Sequence, residues 1–354
     1  MTRVLVVGGG IAGVATAVAL KGEVDLVERA PAWRPGGSGL YLPANAVRAL
    51  HALGVGAEVE RRGARITRQR MLDHRGRTLV DVDLEALWGD VGACVAITRE
   101  DLHEVLRSAL PEGVARLGVG VTDVDQDGRV TFDDGSTETY DLVVGADGID
   151  STVRRIAFPA TEPRFLNQVC WRFVLDGEPS QTGWTARLGS GGRTFLAVEL
   201  GDGRIYCYAD TNSATPSAPD GDWRDLFADF ADPVPGLLAR ATDAYFAPLS
   251  EIDGSDWARP GLVLIGDAAH ACSPSMAQGG AMALEDAVVL AELVREDRVA
   301  DYTARRAERV RWVLSQNHRR DRARTLPTPL RNLVLKLGGQ KLVRANHAPL
   351  HAAP

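Results

Sequence analysis

The segment Arg3–Glu28 reads RVLVVGGGIAGVATAVALKGEVDLVE, and it predicts one βαβ unit. Apolar residues form a continuous buried strand on each side of a helix of small residues. The loop before the helix contains the pattern G-x-G-x-x-G at Gly8, Gly10 and Gly13. The first glycine permits a tight turn, the second lets the backbone approach a pyrophosphate, and the third allows close packing of helix and strand. The segment therefore predicts a dinucleotide-binding fold.

The end of the second strand supplies the other part of this site. Glu28 lies where its carboxylate can accept a hydrogen bond from a ribose 2′-hydroxyl, and the helix N-terminus favours a pyrophosphate. The pattern does not separate NAD from FAD. Arg29 fits a contact with the 2′-phosphate of NADP, and it fits a solvated surface position equally well.

A second loop of this kind follows more than 250 residues later. Gly266–Gly280 reads GDAAHACSPSMAQGG, after the apolar run LVLI and before AMALEDAVVLAELV, which predicts strand, loop and helix again. Between the two loops lie the β-rich segments QVCWRFVL, RTFLAVEL and RIYCYADT. The chain therefore leaves an α/β domain for a β-rich insertion and later returns to it.

Local patterns predict several further elements. The periodicity predicts helices at about 44–53, 99–110, 223–231 and 301–324. Alternating segments flanking DHRGR predict a hairpin, and residues 119–145 read as a β-meander.

The composition excludes several classes of protein. The chain has 354 residues and a net charge of −7, which disfavours a nucleic-acid binder. Four cysteines without metal-like spacing favour a reducing cytoplasm, and His270 with Cys272 has no suitably spaced third metal ligand. No apolar run reaches the ~18 residues of a membrane span, and the N-terminus does not resemble a signal peptide. We expect a cytoplasmic protein with no metal, membrane span or nucleic-acid partner, whose oligomeric state is not predicted.

Three further motifs identify a family resemblance. YDLVVGADGIDSTVRR contains Asp147-Gly148, LVLIGDAAH contains Gly266-Asp267, and PSMAQGGAMALEDA follows at once. With the first glycine loop, these resemble the group A FAD-dependent monooxygenases, the aromatic-ring hydroxylases built like p-hydroxybenzoate hydroxylase. The size and the VCWR strand resemble its short salicylate or urate hydroxylase-like members. The resemblance covers roughly residues 3–325.

The resemblance implies an α/β fold, with a Rossmann-like FAD-binding domain and an inserted β-sheet substrate domain. The FAD-binding domain would comprise residues 1–65, 91–160 and 258–325. The substrate domain would comprise residues 66–90 and 161–257, and residues 326–354 would form a C-terminal tail or helix.

The resemblance also implies cofactor contacts. Gly8, Gly10, Gly13 and Glu28 would hold the ADP half of FAD, which would be bound non-covalently. Arg99 would reach the ribose or pyrophosphate, and Val121 would touch the adenine through its backbone. The remaining contacts implied by the family motifs are Asp147 and Gly148 in a loop braced by Arg154, Asp267 on a ribityl hydroxyl, and the loop Pro274–Gly280 with Gly279 and Gly280 at the flavin. Ala277 and Ala281 depart from the glycine and asparagine of many relatives.

The substrate pocket is less defined. Alternation in VCWRFVL places Val169, Trp171 and Phe173 on one strand face, with Cys170 and Arg172 on the other. Trp171 fits the core, and Arg172 fits either a salt-bridged surface position or a pocket wall that binds an anionic or carbonyl group.

Two other features leave alternatives open. Tyr206 and Tyr208 share a strand face and are pocket candidates on the same terms as Arg172. The basic helix over 304–324 fits a solvated face of the FAD-binding domain, with a membrane or partner role as the alternative.

The resemblance implies an FAD-dependent monooxygenase that consumes NADPH or NADH. Oxygen would add at flavin C4a, and the hydroperoxide would hydroxylate or epoxidise an aromatic or electron-rich small molecule. The alternatives are an FAD-dependent reductase or dehydrogenase on the same fold and a non-catalytic flavin-binding escort protein.

Overall fold

The structure of the protein is a computed structural model that describes residues 2–22, 24–33, 36–159, 161–177 and 183–354. The strands are β1 (Val4–Val7), β2 (Val24–Glu28), β3 (Gly39–Leu42), β4 (Ala64–Arg65), β5 (Arg68–Asp73), β6 (Thr78–Asp83), β7 (Val95–Thr98), β8 (Ala115–Leu117), β9 (Val121–Val124), β10 (Arg129–Phe132), β11 (Thr137–Thr139), β12 (Leu142–Gly145), β13 (Arg164–Asp176), β14 (Trp184–Leu188), β15 (Thr194–Leu200), β16 (Arg204–Asn212), β17 (Tyr245–Glu251), β18 (Ala258–Arg259) and β19 (Leu262–Leu264). The α-helices are α1 (Ile11–Leu20), α2 (Ala44–Ala52), α3 (Gly56–Arg62), α4 (Leu84–Trp88), α5 (Arg99–Ser108), α6 (Thr152–Ala157), α7 (Val234–Ala239), α8 (Asp267–His270), α9 (Gly279–Arg295), α10 (Tyr302–Ala323) and α11 (Thr328–His347).

A six-stranded sheet forms the centre of the α/β domain. Its order is β18-β19-β12-β1-β2-β8, and every pair is parallel except the edge pair β18-β19. β1 is buried along its whole length, as its unbroken run of valine and leucine predicts, and α1 packs against it. The predicted βαβ unit is confirmed, and α1 packs along α9. Because β1 and β19 both run parallel to β12, the two glycine loops follow strands that end at the same edge of this sheet.

A seven-stranded sheet forms the second layer. Its order is β17-β13-β16-β15-β14-β5-β6, and its strands come from two separate stretches of the chain, 68–83 and 164–251. Within it β14 pairs with β5 in parallel. The predicted hairpin is confirmed as β5 and β6.

The two faces of this sheet belong to different cores. Val169, Trp171 and Phe173 pack with the helical segment around Phe227 in a separate apolar cluster. Cys170 packs instead in the main core, together with β1, α1 and α9. Trp171 is therefore a core residue, and the strand face that carries Cys170 is turned toward the α/β domain.

Two local predictions are wrong. Residues 119–145 do not form one meander, because β9, β10 and β11 make a three-stranded sheet whereas β12 joins the parallel sheet. The helix predicted near 223–231 is a short 3-10 turn at Trp223–Phe227, and α7 follows only at Val234. Pro233 separates the two, since a proline cannot donate the hydrogen bond of a helix interior.

The other predicted helices are confirmed as α2, α5 and α10. A sheet of β3, β7 and β4 completes the fold. Across the part of the chain that the structure describes, every helix is too short or too polar to cross a bilayer.

Candidate active site

A cleft of about 540 Å³ opens at the edge of the parallel sheet where the first glycine loop lies. It runs from that loop past the end of β2 and the start of β9 to the loop after β12. The cleft brings together eight of the predicted cofactor residues, namely Gly8, Gly10, Glu28, Arg29, Arg99, Val121, Asp147 and Gly148.

The three glycines of the first loop meet different constraints. Gly8 has a φ of 108°, and a Cβ added there would lie 2.5 Å from the carbonyl oxygen of Ala146. A Cβ added at Gly13 would lie 1.9 Å from the carbonyl oxygen of Gly8, so this position serves helix packing. A Cβ added at Gly10 would meet no atom within 4 Å, because this residue faces the open cleft. The geometry matches the physical reason for each glycine in the pattern.

The Glu28 carboxylate is fixed by the backbone around the cleft. It accepts hydrogen bonds from the N–H of Gly9 and of Ala30, each at 2.8 Å. Two further residues at this loop, His103 and Trp33, were not predicted from the sequence. The Nε2–H of His103 donates to the Gly9 carbonyl at 2.7 Å, and its ring contacts Trp33 edge-on at 5.3 Å. Burial lowers the pKa of His103, so a neutral imidazole supports the loop.

The loop after β12 is organised by its own aspartate. The Asp147 carboxylate accepts from Ser151 Oγ and from the N–H groups of Thr152 and Val153, at 2.7 and 3.2 Å for the backbone donors. Asp147 thus accepts from the first N–H groups of α6, and the N-cap residue Ser151 accepts from the Arg154 N–H at 2.9 Å. Arg154 is buried and donates to the Ala268 carbonyl at 3.0 Å, which joins this loop to the second glycine loop.

The second glycine loop adjoins the first. A Cβ added at Gly266 would lie 2.9 Å from Ala12 Cβ at the start of α1. Asp267 follows it at the N-terminus of α8, where its side chain is exposed and makes no hydrogen bond to any described residue. A carboxylate in this position is available to accept a hydrogen bond from a ligand.

The loop ends where α9 begins at Gly279. Cβ atoms added at Gly279 and Gly280 would also meet open space. Ala277 has a φ of 52°, the left-handed conformation that explains why glycine suits this position. Asp267, Pro274, Gly279 and Gly280 do not line the cleft described above, so the structure places the predicted residues in two adjacent groups.

A network of buried charged side chains, centred on Asp286, holds the second glycine loop. Asp286 on α9 accepts hydrogen bonds from the N–H of Gly266 at 2.9 Å, from His270 Nε2 at 2.7 Å and from Arg306 Nε at 2.7 Å. Burial acts to raise the pKa of Asp286, but the charges of His270 and Arg306 outweigh it and hold that pKa below its usual range.

The same network corrects the interpretation of the basic helix. Arg306, Arg309 and Arg324 of this segment form ion pairs with buried carboxylates. The prediction of a solvated face is therefore wrong for these three arginines.

The face of the seven-stranded sheet turned to the α/β domain carries the three pocket candidates. Arg172 makes no ion pair among the described residues, and its buried Nε has no hydrogen-bond partner there. Its guanidinium carbon lies 5.9 Å from the centre of the Tyr208 ring. Tyr206 packs on β3, where a Cβ added at Gly39 would lie 2.4 Å from its ring.

The two tyrosines are buried and neutral. Burial raises the pKa of Tyr206 to about 12 and also raises the pKa of Tyr208 well above its usual value. The Tyr208 hydroxyl donates to Asp210 at 2.8 Å, and Arg324, which directly follows α10, donates two hydrogen bonds to that carboxylate at 2.7 and 2.8 Å.

Residues 1–316 match the FAD binding domain family. The chain belongs to this family. It is 33% identical over 335 residues to the 2-heptyl-3-hydroxy-4(1H)-quinolone synthase of Pseudomonas aeruginosa, with 89% of this chain and 87% of that protein covered. It is 30% identical over 358 residues to the 6-hydroxynicotinate 3-monooxygenase of Bordetella bronchiseptica, with 92% and 93% covered. The crystal structure of Klebsiella pneumoniae HpxO with FAD and uric acid gives a TM-score of 0.89 at 26% identity, covering 100% of this chain and 97% of HpxO.

The family membership confirms the predicted resemblance to FAD-dependent aromatic hydroxylases and the predicted fold class. The protein is an FAD-dependent oxidoreductase, and FAD is its cofactor. The residues present fit that cofactor. Gly10, Gly279 and Gly280 leave space that a side chain would fill, and Asp267 offers a carboxylate without a partner among the described residues.

Proposed function

We propose that the protein is a monooxygenase that uses NAD(P)H and O₂ to hydroxylate or epoxidise an aromatic or other electron-rich small molecule. The named activities of the relatives support this reaction class. The structural observation that carries it is Arg172, a half-buried cation whose buried Nε has no hydrogen-bond partner and which has no counter-ion among the described residues, on a sheet face turned toward the FAD-binding domain. A buried charge is costly unless a partner compensates it, and a substrate oxygen would supply that partner.

The predicted cofactor contacts are part of this proposal. Gly8, Gly10, Gly13 and Glu28 would hold the ADP half of FAD in the cleft, with Arg29, Arg99, Val121, Asp147 and Gly148 around it. Asp267 would accept a hydrogen bond from the ribityl chain, and Pro274, Gly279 and Gly280 would adjoin the flavin. The cofactor would be held without a covalent bond.

Bound FAD supplies hydride acceptance from NAD(P)H and the activation of O₂. The protein contributes position, charge and exclusion of water. Arg172 would orient the substrate through a negatively charged or carbonyl oxygen, since a guanidinium offers several fixed donors. Tyr206, which stays protonated, would add apolar surface and a neutral hydroxyl donor. Tyr208 would add ring surface only, because its hydroxyl already donates to Asp210. The sheet would cover the reacting atoms and exclude water from them.

The test is substrate-stimulated NAD(P)H oxidation by the purified FAD-loaded protein, measured with a panel of phenolic and heteroaromatic compounds. We expect at least one compound to stimulate oxidation in air, with O₂ consumed and an oxygenated product formed. A stimulated reaction that proceeds equally well without O₂ would indicate a dehydrogenase. Absence of NAD(P)H oxidation with every compound, in protein that binds FAD, would favour the escort protein.

A further inference from the structure

The outer side of α11 carries a concentrated set of exposed apolar side chains. Among the described residues seven large apolar side chains are exposed, and six of them lie between Leu326 and Leu342. Leu330, Leu333, Val334 and Leu337 recur at the spacing of a single helix face. Leu333 is 53% exposed and Leu337 is 78% exposed. We call these four residues the leucine stripe; they give the molecule an apolar surface without an internal partner.

The opposite side of α11 is firmly packed on the rest of the molecule. A Cβ added at Gly339 would lie 2.3 Å from Val80 Cγ2, so the helix backbone lies directly on β6. Arg331 donates to the Gly189 carbonyl at 2.7 Å, and Gln340 donates to the Asp81 carbonyl at 2.8 Å. Because these contacts fix the rotation of the helix, the leucine stripe cannot turn inward without breaking them.

The charged residues of α11 itself have a single sign. The sequence contains no acidic residue after Asp321, whereas six lysines and arginines follow it, in a chain with a net charge of −7. Lys336 flanks the stripe, and Lys341 and Arg344 continue its side of the helix at 3.6 residues per turn. All three are exposed, and none forms an ion pair with a described residue.

A second copy of the chain is a poor occupant for this face. Two such faces would bring six cations together without an acidic residue from either α11, and like charges in contact oppose association. Exposed leucines beside unpaired cations instead match an anionic phospholipid surface, where the side chains enter the headgroup region and the cations attract lipid phosphates. A helix used in this way lies on the bilayer and does not cross it.

We propose that the leucine stripe, together with Lys336, Lys341 and Arg344, docks the protein on anionic phospholipid membranes. This inference rests on α11 and does not depend on the reaction proposed above.

The test is flotation of the full-length FAD-loaded protein with vesicles of phosphatidylcholine alone or with added phosphatidylglycerol, at low and high salt. We expect binding to the anionic vesicles, weakened by salt. Leu333→Gln/Leu337→Gln should reduce the partition coefficient at least about tenfold. Lys341→Gln/Arg344→Gln should reduce it roughly fivefold for each cation removed. Leu342→Gln is the matched control, since that exposed leucine lies about 140° around the helix from Leu337.

FAD content and thermal midpoint verify that each variant is folded, because all these positions are exposed. Light scattering after gel filtration gives the oligomeric state. A wild-type dimer that Leu333→Gln/Leu337→Gln converts to monomer, without vesicle binding, would assign the face to a second copy and overturn the proposal. Failure of the monomeric wild type to bind anionic vesicles would overturn it as well.

Discussion

At the scale of single residues, two glycines of one motif have different roles: we expect Gly10 to matter for FAD binding and Gly13 for the stability of the fold. Gly10→Val should abolish FAD binding while leaving the fold intact, because its added side chain enters the open cleft and meets no protein atom within 4 Å of the Cβ. Gly13→Ala should instead lower the free energy of unfolding by about 1–3 kcal/mol, because its Cβ would overlap the Gly8 carbonyl. Flavin absorbance and chemical denaturation of the apoprotein measure the two effects. Retention of FAD by Gly10→Val would show that the pyrophosphate does not lie on this loop.

Arg172 is the residue on which the proposed pocket depends most. Arg172→Ala should leave FAD bound and raise the KM for the stimulating compound at least about tenfold, since hydrogen bonds to charged groups contribute most among polar contacts. It should also slow NAD(P)H oxidation or divert it to H₂O₂. Arg172→Lys should recover part of the loss. The pocket would lie elsewhere if Arg172→Ala left KM, the rate of NAD(P)H oxidation and the yield of H₂O₂ unchanged, and if Tyr206→Phe and Tyr208→Phe also had no effect on them.

The sequence predicted the strand face on which Arg172 lies, but it did not predict the contact of His103 with the glycine loop. A strand repeats every two residues, so alternation alone assigned Arg172 and Trp171 to opposite faces, and the two cores confirm that assignment. His103 and Trp33 reach the glycine loop through tertiary contacts, which the spacing along the chain does not reveal. The position of His103 one turn after Arg99 on α5 was the one available signal.

At the scale of secondary-structure elements, the C-terminal end of α10 joins the two layers of the molecule. Arg320 donates to the Ser275 carbonyl at 2.6 Å, and Asp321 accepts from Ser275 Oγ at 2.6 Å. One turn later, Arg324 binds Asp210 on β16. A single helical turn therefore holds both the second glycine loop and the sheet that carries the pocket candidates.

Loss of the Arg324 ion pair should be costly. Arg324→Ala should lower the free energy of unfolding by about 3–5 kcal/mol, because it leaves the Asp210 carboxylate buried without its cation. Denaturant unfolding measures this, with the exposed Arg322→Ala as the matched control. Adding Asp210→Asn to Arg324→Ala should recover part of the loss. Equal effects of Arg324→Ala and Arg322→Ala would contradict this role.

His347 gives α11 a predicted pH dependence. Burial, and then the nearby charge of Arg320, lower the pKa of His347 to about 4. The unfolded chain takes up a proton below about pH 6.5, whereas the folded protein does so only near its lower pKa. The free energy of unfolding should therefore fall by up to about 3 kcal/mol as the pH drops through this window, and by less in His347→Gln. Parallel pH profiles for the two proteins would exclude this contribution.

Helix α10 shows what a sequence pattern can and cannot reveal. Its length follows from the sequence, but the partners of its arginines lie at Asp210, Glu285 and Asp286, in other elements. In the sequence, a run of arginines that pair with distant carboxylates cannot be told from a run of arginines that face the solvent. The helix predicted near 223–231 was wrong in type, since the chain forms only a 3-10 turn at Trp223–Phe227 and α7 begins after Pro233.

At the scale of the whole molecule, FAD should act as a stabilising ligand. The purified protein should be yellow and should release its flavin on acid or heat treatment, since the proposed contacts are non-covalent. Binding to the folded state alone adds about 2.7 kcal/mol of stability at a free ligand concentration 100 times the Kd. Thermal midpoints with and without added FAD measure this. A colourless protein that FAD neither colours nor stabilises would contradict the binding site.

The order of the α/β domain and the β-rich insertion along the chain was predictable, but the strands that belong to each sheet were less so. The two glycine loops predicted departure from an α/β domain and return to it, and the parallel sheet confirms the α/β unit. The domain boundaries remain a prediction. The pairing of β5 with β14 joins residues more than 100 positions apart, and strand patterns alone do not choose a partner at such a distance.

That pairing bears on how new specificities could be engineered in this enzyme. Because β5 and β6 complete a sheet whose other strands come from 164–251, a transplant of the later segment alone would pair β14 with a strand from the other parent. Side chains on two strands that come from different parents would pack poorly across the pair. A chimera that exchanges the proposed substrate wall should therefore carry both stretches together, and recombination between relatives should yield stable hybrids only when the two crossovers move as a pair.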